Sequence, residues 1–342
     1  MRANPTIEDV ARAAGVSASS ARNFFSRPGV LSAATRARID EAVRRTGYAP
    51  RGGGGRLTRR QLGLVGFEVP RAEDAMFNLV FQQQVVGLLW AARTAGFRLH
   101  TFVTDKEPGS RVPWYQELWE RREVGGFVLT DAGYDDERVP YLRRAGAPFV
   151  LFSRLREETG YCWVDNDNAY GSMLAVRHLL AGGHRRVAYL GWPGGDPVAD
   201  RRLEGYRRAL AEVGLPELTA FQDYGGDALE QAGRLLDAPA RRRATAVVAS
   251  CDEFACDVVR AAADLGVALG GGPGQVAVVG CDDSPLAARM VPALSSLRQP
   301  IARLAERAVD LLAARMANPR FEAHLLERPE LVVRSSSAPP AF

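Results

Sequence analysis

The sequence predicts a small all-α module at the amino-terminal end, followed by a long α/β body of parallel sheets covered by helices. Three observations predict it. Residues 6–48 carry starts, stops and apolar stripes at the spacing of three short helices. From residue 62 onward, short apolar runs alternate with helical patterns. Between them, residues 51–60 read Arg-Gly-Gly-Gly-Gly-Arg-Leu-Thr-Arg-Arg, a linker composition. The expected division is 1–50, 51–61 and 62–342.

The module reads as follows. Thr6 followed by Asp9 forms a capping box, a local signal for a helix start. Ile7, Val10, Ala11 and Ala14 then line one face. Gly15 ends the helix, because glycine tolerates the left-handed backbone of a tight turn. Ser17 caps a second helix whose apolar face is Ala21, Phe24 and Phe25. Ser32 caps a third, with Ile39, Ala42 and Val43 inward and Gly47 at its end. Two helices joined through Gly15-Val16-Ser17 make a helix-turn-helix.

A three-helix protein-interaction module would show the same pattern, so charge decides between them. Residues 1–60 hold 12 Arg and 4 acidic residues, net +8, whereas the whole chain is +4 and the remainder therefore −4. A basic end on an acidic body points to a polyanion, here double-stranded DNA. The second helix of such a module enters the major groove, which makes Ala18, Ser19, Arg22 and Asn23 the candidates for base edges. Arg22 suits guanine and Asn23 adenine through paired hydrogen bonds. Either side chain would equally serve as a phosphate contact. Thr6, Ser17, Ser20 and Asn23 are candidate phosphate or cap residues.

In the linker, each of Gly52 to Gly55 costs helix formation up to ~1 kcal/mol relative to alanine, roughly 3–4 kcal/mol together. Read from its residues, the stretch is a flexible basic tether whose Arg51 and Arg56 touch phosphates. A nucleotide-binding loop does not fit, since no Gly-Lys-Ser/Thr follows and the one lysine is Lys106.

In the body, Leu62 to Phe67 predicts a strand and Phe77 to Gly96 a helix. Phe97 to Val103, Gly126 to Thr130, Phe149 to Phe152, Val187 to Gly191, Ala246 to Ala249 and Val276 to Gly280 continue the strand series. Such alternation means parallel sheets, whose ligands sit at the carboxyl ends of strands. Ser153 and Arg154 follow one strand and Asp252 follows another. Asp252 reads either as a ligand acceptor or as a helix cap. Gly270 to Gly274 reads as a surface loop and Ser335 to Phe342 as a tail.

No apolar core precedes Thr6 and no run of about 18 apolar residues exists, so neither a signal peptide nor a membrane span is expected. A cytoplasmic protein is expected, its Cys162, Cys251, Cys256 and Cys281 reduced and used in packing. These cysteines and His100, His178, His184 and His324 lack metal-ligand spacing, and no nucleophile motif or phosphate loop supports an enzyme. No metal or cofactor is expected.

Several stretches together resemble the lactose-repressor (LacI/GalR) family of bacterial transcription regulators, over nearly the whole chain. They are Thr6-Ile-Glu-Asp-Val-Ala, Ala14-Gly15-Val16-Ser17, Thr35-Arg36 and Gly47-Tyr48-Ala-Pro50 in the module. In the body they are Gly183-His-Arg-Arg-Val-Ala-Tyr-Leu-Gly191, Arg202-Leu-Glu-Gly-Tyr206, Gly280-Cys-Asp-Asp283 and Pro292 to Pro300. The resemblance implies a two-lobed, periplasmic-binding-protein-like body, with chain crossings expected near Asp165, Leu294 and Leu325. It implies, as the alternative to a flexible tether, a hinge that becomes helical only on DNA, from which Leu57 wedges into the minor groove. It also implies a sugar or sugar-derived effector held by Arg202 and Asp282, and a homodimer on a near-palindromic operator. Arg154 and Asp252 are further polar candidates, and Phe81, Trp163 and Tyr224 are candidates for an aromatic surface; ordinary packing explains the three aromatics equally.

The chain departs from the family where Ala21-Arg22-Asn23-Phe24-Phe25-Ser26 replaces the usual Val-Ser-Arg-Val-Leu-Asn. Asn23 holds the usual arginine position, and one helical step is about 100°, so Arg22 does not substitute for it. A different half-site is expected. Cys281 replaces the usual aromatic and reshapes the expected pocket wall. The function expected is an effector-controlled repressor. The alternative is a small-molecule-binding protein with sequence-blind, salt-sensitive DNA binding.

Overall fold

The computed structural model describes residues 6–26, 31–46, 63–69, 79–104, 109–223, 226–239 and 243–338. It divides into two compact units, residues 1–60 and 61–342.

The first unit holds α1 (Ile7–Ala14), α2 (Ala18–Ser26) and α3 (Ala33–Thr46). Both halves of the capping box form: Thr6 accepts from the Asp9 amide, and the Thr6 amide donates to Asp9 Oδ2 at 2.8 Å. Gly15 sits at φ 60, the left-handed turn that ends α1. Ser17 accepts from the Ser20 amide at 3.0 Å and Ser32 from the Thr35 amide at 3.2 Å, opening α2 and α3. Val10, Ala14, Ile39 and Ala42 form the core, with Phe24 and Val43 against it. Two arginines of α3 have a structural task. Arg38 donates to the carbonyls of Ala14 and Gly15, and Arg45 to that of Ala13, satisfying the open end of α1.

Among the described residues, the second unit contains two sheets of six strands each. One lobe opens with β1 (Leu64–Val69), α4 (Leu79–Thr94), β2 (Arg98–Val103) and α5 (Val112–Glu120). It continues with β3 (Gly126–Leu129), α6 (Arg138–Ala145), β4 (Phe149–Phe152) and β5 (Cys162–Asn166). The other lobe holds α7 (Asn168–Ala181), β6 (Val187–Gly191), α8 (Pro197–Ala211), β7 (Thr219–Phe221) and α9 (Leu229–Leu236). It adds β8 (Ala246–Ala249), α10 (Asp252–Asp264), β9 (Ala277–Cys281) and β10 (Ser295–Arg298). Three elements remain: α11 (Ile301–Ala317), β11 (His324–Glu327) and β12 (Glu330–Val332).

The first sheet runs β11-β5-β4-β3-β1-β2 with every pair parallel, and the second β12-β10-β9-β8-β6-β7 with only β12 antiparallel. The chain therefore crosses between lobes after Asn166, after Arg298 and after Glu327. Leu294, expected at a crossing, is instead fully buried in the second lobe. Because β10 follows it, that crossing moves to Gln299-Pro300. The crossings near Asp165 and Leu325 fall within a few residues of expectation.

Each sheet is apolar on both faces, as buried parallel sheets require. In β8, Val247 and Ala249 join one core while Ala246 and Val248 join the other, the period-two alternation of a strand. After leaving β10, α11 buries Leu304, Ala308 and Leu312 against the first lobe.

Ser335 is exposed, but Ser336 and Ser337, expected in a tail, are buried. Ser336 Oγ donates to the Val278 carbonyl at 2.6 Å and accepts from the Ser295 amide at 2.8 Å, and Ser337 Oγ donates to Ser295 Oγ. The hydroxyls of Ser295, Ser336 and Ser337 are paired across the chain, so these three polar residues are carried inside.

Candidate functional site

On α2, Ser19 is exposed and Ala18, Ser20 and Asn23 are half-buried. Thr6 and Ser17 serve as caps. Arg22 lies on α2, but its side chain, like Arg51, Arg56 and Leu57, lies outside the described residues. Ala21 is fully buried, so the small residue of the departing motif faces the core.

In the second unit, the crossings leave the carboxyl ends of β5, β10 and β11. All other parallel strands share those edges, so the carboxyl edges of the two sheets face one another. Polar side chains gather there. Arg202 of α8 is buried; its Nε donates to Asn168 Oδ1 at 2.9 Å and its Nη1 to the Ser250 carbonyl. Asn168 Nδ2 in turn donates to the Asn166 carbonyl at 3.0 Å. Asp282 is buried after β9, accepts from Gln299 Nε2 at 2.6 Å, and has φ 114, with Asp283 at φ 47. Two successive non-glycine residues at positive φ are strained, at about 1–3 kcal/mol each, and persist because the surroundings fix them. Asp283 is fixed by Arg298 at 2.7 Å and by Arg334.

Burial pushes the Asp282 carboxyl well above its ordinary range, the Arg202 charge opposes this, and the nearby Asp252 carboxylate adds to it. Asp252 is itself buried and raised by burial; it accepts from Ser296 Oγ at 2.6 Å and the Ser284 amide at 2.8 Å. It therefore ties the start of α10 to β10 and to the turn after β9. Cys251, one residue earlier, provides the helix cap.

Among the described residues, three buried polar atoms at strand ends have no hydrogen-bond partner: Ser153 Oγ after β4, Asn166 Oδ1 at the end of β5 and Ser250 Oγ after β8. Each would cost about 1–3 kcal/mol if nothing met it. A cavity of about 10 Å³ lies beside two of them, lined by Asn166, Asn168, Arg202, Ser250 and Cys281.

The motif Arg202-Leu-Glu-Gly-Tyr206 has a packing explanation. A Cβ on Gly205 would strike the Ala169 carbonyl, so glycine lets α8 close on α7. Tyr206 Oη meets the Val187 and Leu218 carbonyls, each at 3.0 Å, and the Leu218 amide at 2.8 Å. The helix is thereby held against β6, and Arg202 is aimed at the strand ends.

The structure brings Arg202, Asp282 and Asp252 together, but not every expected residue joins them. Phe81 is buried in the core of the first lobe, stacked on Phe67 at 5.9 Å. Trp163 is buried on the opposite face of the same sheet, stacked on His324 at 4.9 Å, with its Nε1 donating to the Glu158 carbonyl. Packing claims both rings. Arg154 is paired with Asp165 at 3.0 Å and Glu158 at 3.4 Å. Tyr224 lies outside the described residues. Trp192 was missed; it directly follows β6, with Arg202 Cζ 5.6 Å from its ring centroid. The strand-end rule that singled out Asp252 would have found it, together with Ser250. Asn166 ends β5, and Asn168 and Gln299 follow β5 and β10, strands whose polar residues hid them.

Comparison with known proteins matches residues 6–51 to the model described as bacterial regulatory proteins, lacI family, and residues 176–337 to a periplasmic binding protein-like domain. The HTH-type transcriptional regulator MalR of Streptomyces coelicolor is 32% identical, over 97% of this chain and 96% of that one. The chain belongs to the lacI family of bacterial transcriptional regulators. The ribose operon repressor of Escherichia coli K12 is 28% identical, over 97% of this chain and 99% of that one. Among solved structures, a transcriptional regulator CelR-cellobiose complex superposes with TM-score 0.71 at 26% identity, covering 97% of this chain and 99% of that one. This lacI-family chain thus has transcriptional regulators, not enzymes, as its relatives. Among the described residues, no helix is long and apolar enough to cross a membrane, and no group of His, Cys, Asp and Glu gathers as metal ligands.

Proposed function

We propose that this regulator is a repressor whose operator affinity is set by a sugar or sugar-derived effector bound between the two lobes. The observation that carries this reading is the set of unpartnered buried atoms on facing strand ends: Asn166 Oδ1 and Ser250 Oγ, which line one cavity with Arg202, and Ser153 Oγ after β4. An effector with several hydroxyls supplies what each lacks. Arg202 offers planar donors and Asp282 two acceptor oxygens, so each can meet two neighbouring hydroxyls. The CelR-cellobiose complex and the ribose operon repressor support the same class of effector.

The cavity of about 10 Å³ has room for roughly one water. Effector entry therefore requires the lobes to part. The effector acts through its different affinities for the parted and closed arrangements.

A homodimer presents two reading helices to a near-palindromic operator. Val86, Leu89 and Trp90 support pairing through the body: they are exposed together on α4, beside a groove of about 860 Å³ that Ile301 and Ala302 also line. The test is Asp282→Ala, assayed on DNA from the region upstream of the protein's own gene. Operator binding should persist and the response to the active sugar should vanish. A full response from the variant would remove Asp282 from the site. Weak binding to any DNA, insensitive to every sugar, would instead favour a binding protein with degenerate DNA contacts.

A further inference from the structure

We infer that a polar clasp across the mouth of the cleft holds the two lobes closed, and that α8 carries it beside the effector arginine. Arg201 belongs to the second lobe. Its Nη1 donates to the Arg154 carbonyl of the first lobe at 3.1 Å, and its Nη2 meets Glu158 of that lobe at 3.5 Å. Burial raises the Tyr134 hydroxyl of the first lobe and the Asp200 carboxylate beside it adds to this, which puts Asp200, one residue before Arg201, next to Tyr134; Arg156 lies over the Tyr134 ring at 3.9 Å. These are side chains of one lobe meeting the loops of the other, separate from the covalent crossings.

Both sides of the clasp are anchored within their own lobes. The loop bearing Arg154 and Glu158 is fixed where Arg154 Nε donates to Asp165 at 3.0 Å and Trp163 Nε1 donates to the Glu158 carbonyl at 3.1 Å. Tyr161 Oη fixes it further, donating to the Glu157 carbonyl at 2.9 Å and accepting from the Leu155 amide at 3.1 Å. On the other side, Arg201 Nη1 also donates to the Pro197 carbonyl at 3.1 Å, and Asp200 accepts from the Gly195 amide at 3.0 Å. The anchors move with their lobes, so opening the cleft breaks the Arg201 and Asp200 contacts together.

Arg201 is only slightly exposed, at 13% of its side chain, but Glu158 is 39% exposed and screened, so the bond to the Arg154 carbonyl is the stronger Arg201 contact of the clasp. Arg202 follows it on the same helix, turned by about 100° into the site. Arg202 is held by Asn168 and the Ser250 carbonyl, both of the second lobe, so it does not cross the cleft. The division is then clear: Arg202 faces the effector, whereas Asp200 and Arg201 set how readily the lobes part. The inference rests on the proposed effector reading only for its consequence, because the closure itself is measurable without effector or DNA.

The experiment is single-molecule energy transfer in the full chain, with dyes on unnatural amino acids replacing the exposed Arg144 of the first lobe and Asp264 of the second. The unmodified clasp should give a mainly closed population. Arg201→Met and Tyr134→Phe should each raise the open-to-closed ratio roughly ten-fold, and the double variant more. Arg207→Met is the control: it lies on the same helix, but its ion pair with Glu217 at 2.9 Å stays within the second lobe, so the ratio should not change. Should Arg201→Met fail to fold, Tyr134→Phe reads the same clasp by loss of one hydroxyl. A mainly open parent, or a Tyr134→Phe variant and a double variant indistinguishable from the Arg207→Met control, would overturn the inference. Either result would leave the effector reading standing, since sugar titration tests that separately.

Discussion

Replacing Arg138 with methionine removes the most buried charge of the first lobe. Its side chain is wholly inaccessible. Nη1 donates to Glu68 at 2.7 Å, while Nη2 donates to Asp136 at 2.6 Å and to the Thr130 carbonyl at 2.9 Å. Glu68 also accepts from Arg111 Nε at 2.9 Å and Tyr115 Oη at 2.7 Å. The cluster joins the ends of β1, β2 and β3 on the edge that faces the other lobe. Deleting one partner of a buried pair costs about 3–5 kcal/mol, because the remaining charge is left uncompensated. Arg111 stays near both carboxylates, at 2.9 Å from Glu68 and 3.9 Å from Asp136, so the lower end, about 3 kcal/mol, applies.

For a body of this size, Arg138→Met should lower the melting temperature by roughly 6–12 °C. The acid limb should shift as well. Burial raises the Glu68 carboxyl, but Arg138 and Arg111 overcome burial and hold it at about 2. A depressed carboxylate gives stability that is complete above its ordinary pKa of 4.5 and is lost as pH falls towards 2. Without Arg138 that loss should begin at higher pH. Calorimetry from pH 3 to 7 checks both effects. A loss below about 1 kcal/mol with an unchanged acid limb would refute the assignment of the cluster as a structural lock.

Asp165 should act with the opposite sign. Burial raises its carboxyl to about 6, against the pull of Arg201 and Arg154, so its contribution is complete below about 4 and is lost as pH rises through 6. The loss is roughly 3 kcal/mol; Asp165→Asn should flatten this slope, and an unchanged stability profile between pH 4 and 7 would contradict it. Trp90→Glu places a charge in the exposed apolar face of α4, which is 62% accessible at Trp90 in the single chain. Light scattering should report a monomer for the variant and a dimer for the parent; a dimer in both would move the pairing face elsewhere.

The sequence disclosed what rests on apolar periodicity and capping. Phe149 to Phe152, Val187 to Gly191 and Ala246 to Ala249 are strands over the limits read from them. Thr6, Asp9 and Gly15 bound α1 as expected, since capping is local chemistry. Buried polar strands escaped. In β10, Ser295 and Ser296 are fully buried because Ser295 Oγ donates to the Arg334 carbonyl and Ser296 Oγ to Asp252. Their partners lie 39 and 44 residues away, beyond any local pattern. The same long-range pairing hid Ser336.

The effector candidates divide for a physical reason. Arg202 stands in a motif with a packing signature, Gly205 and Tyr206, and Asp282 in a turn of positive φ after β9. Phe81 and Trp163 carry no such mark, since an aromatic ring suits a core as well as a sugar face. Arg154 follows a strand as the rule required, but Asp165 on the neighbouring strand captures its charge.

The central claim is that one chain couples operator binding to an effector in its cleft. Fluorescence anisotropy on DNA from the protein's own upstream region, against scrambled DNA at one fixed salt concentration, with and without a panel of sugars, tests it most directly. Tight binding to the upstream DNA alone, altered by one sugar, is the predicted result. Equal, weak binding to both DNAs, unmoved by every sugar, would contradict it.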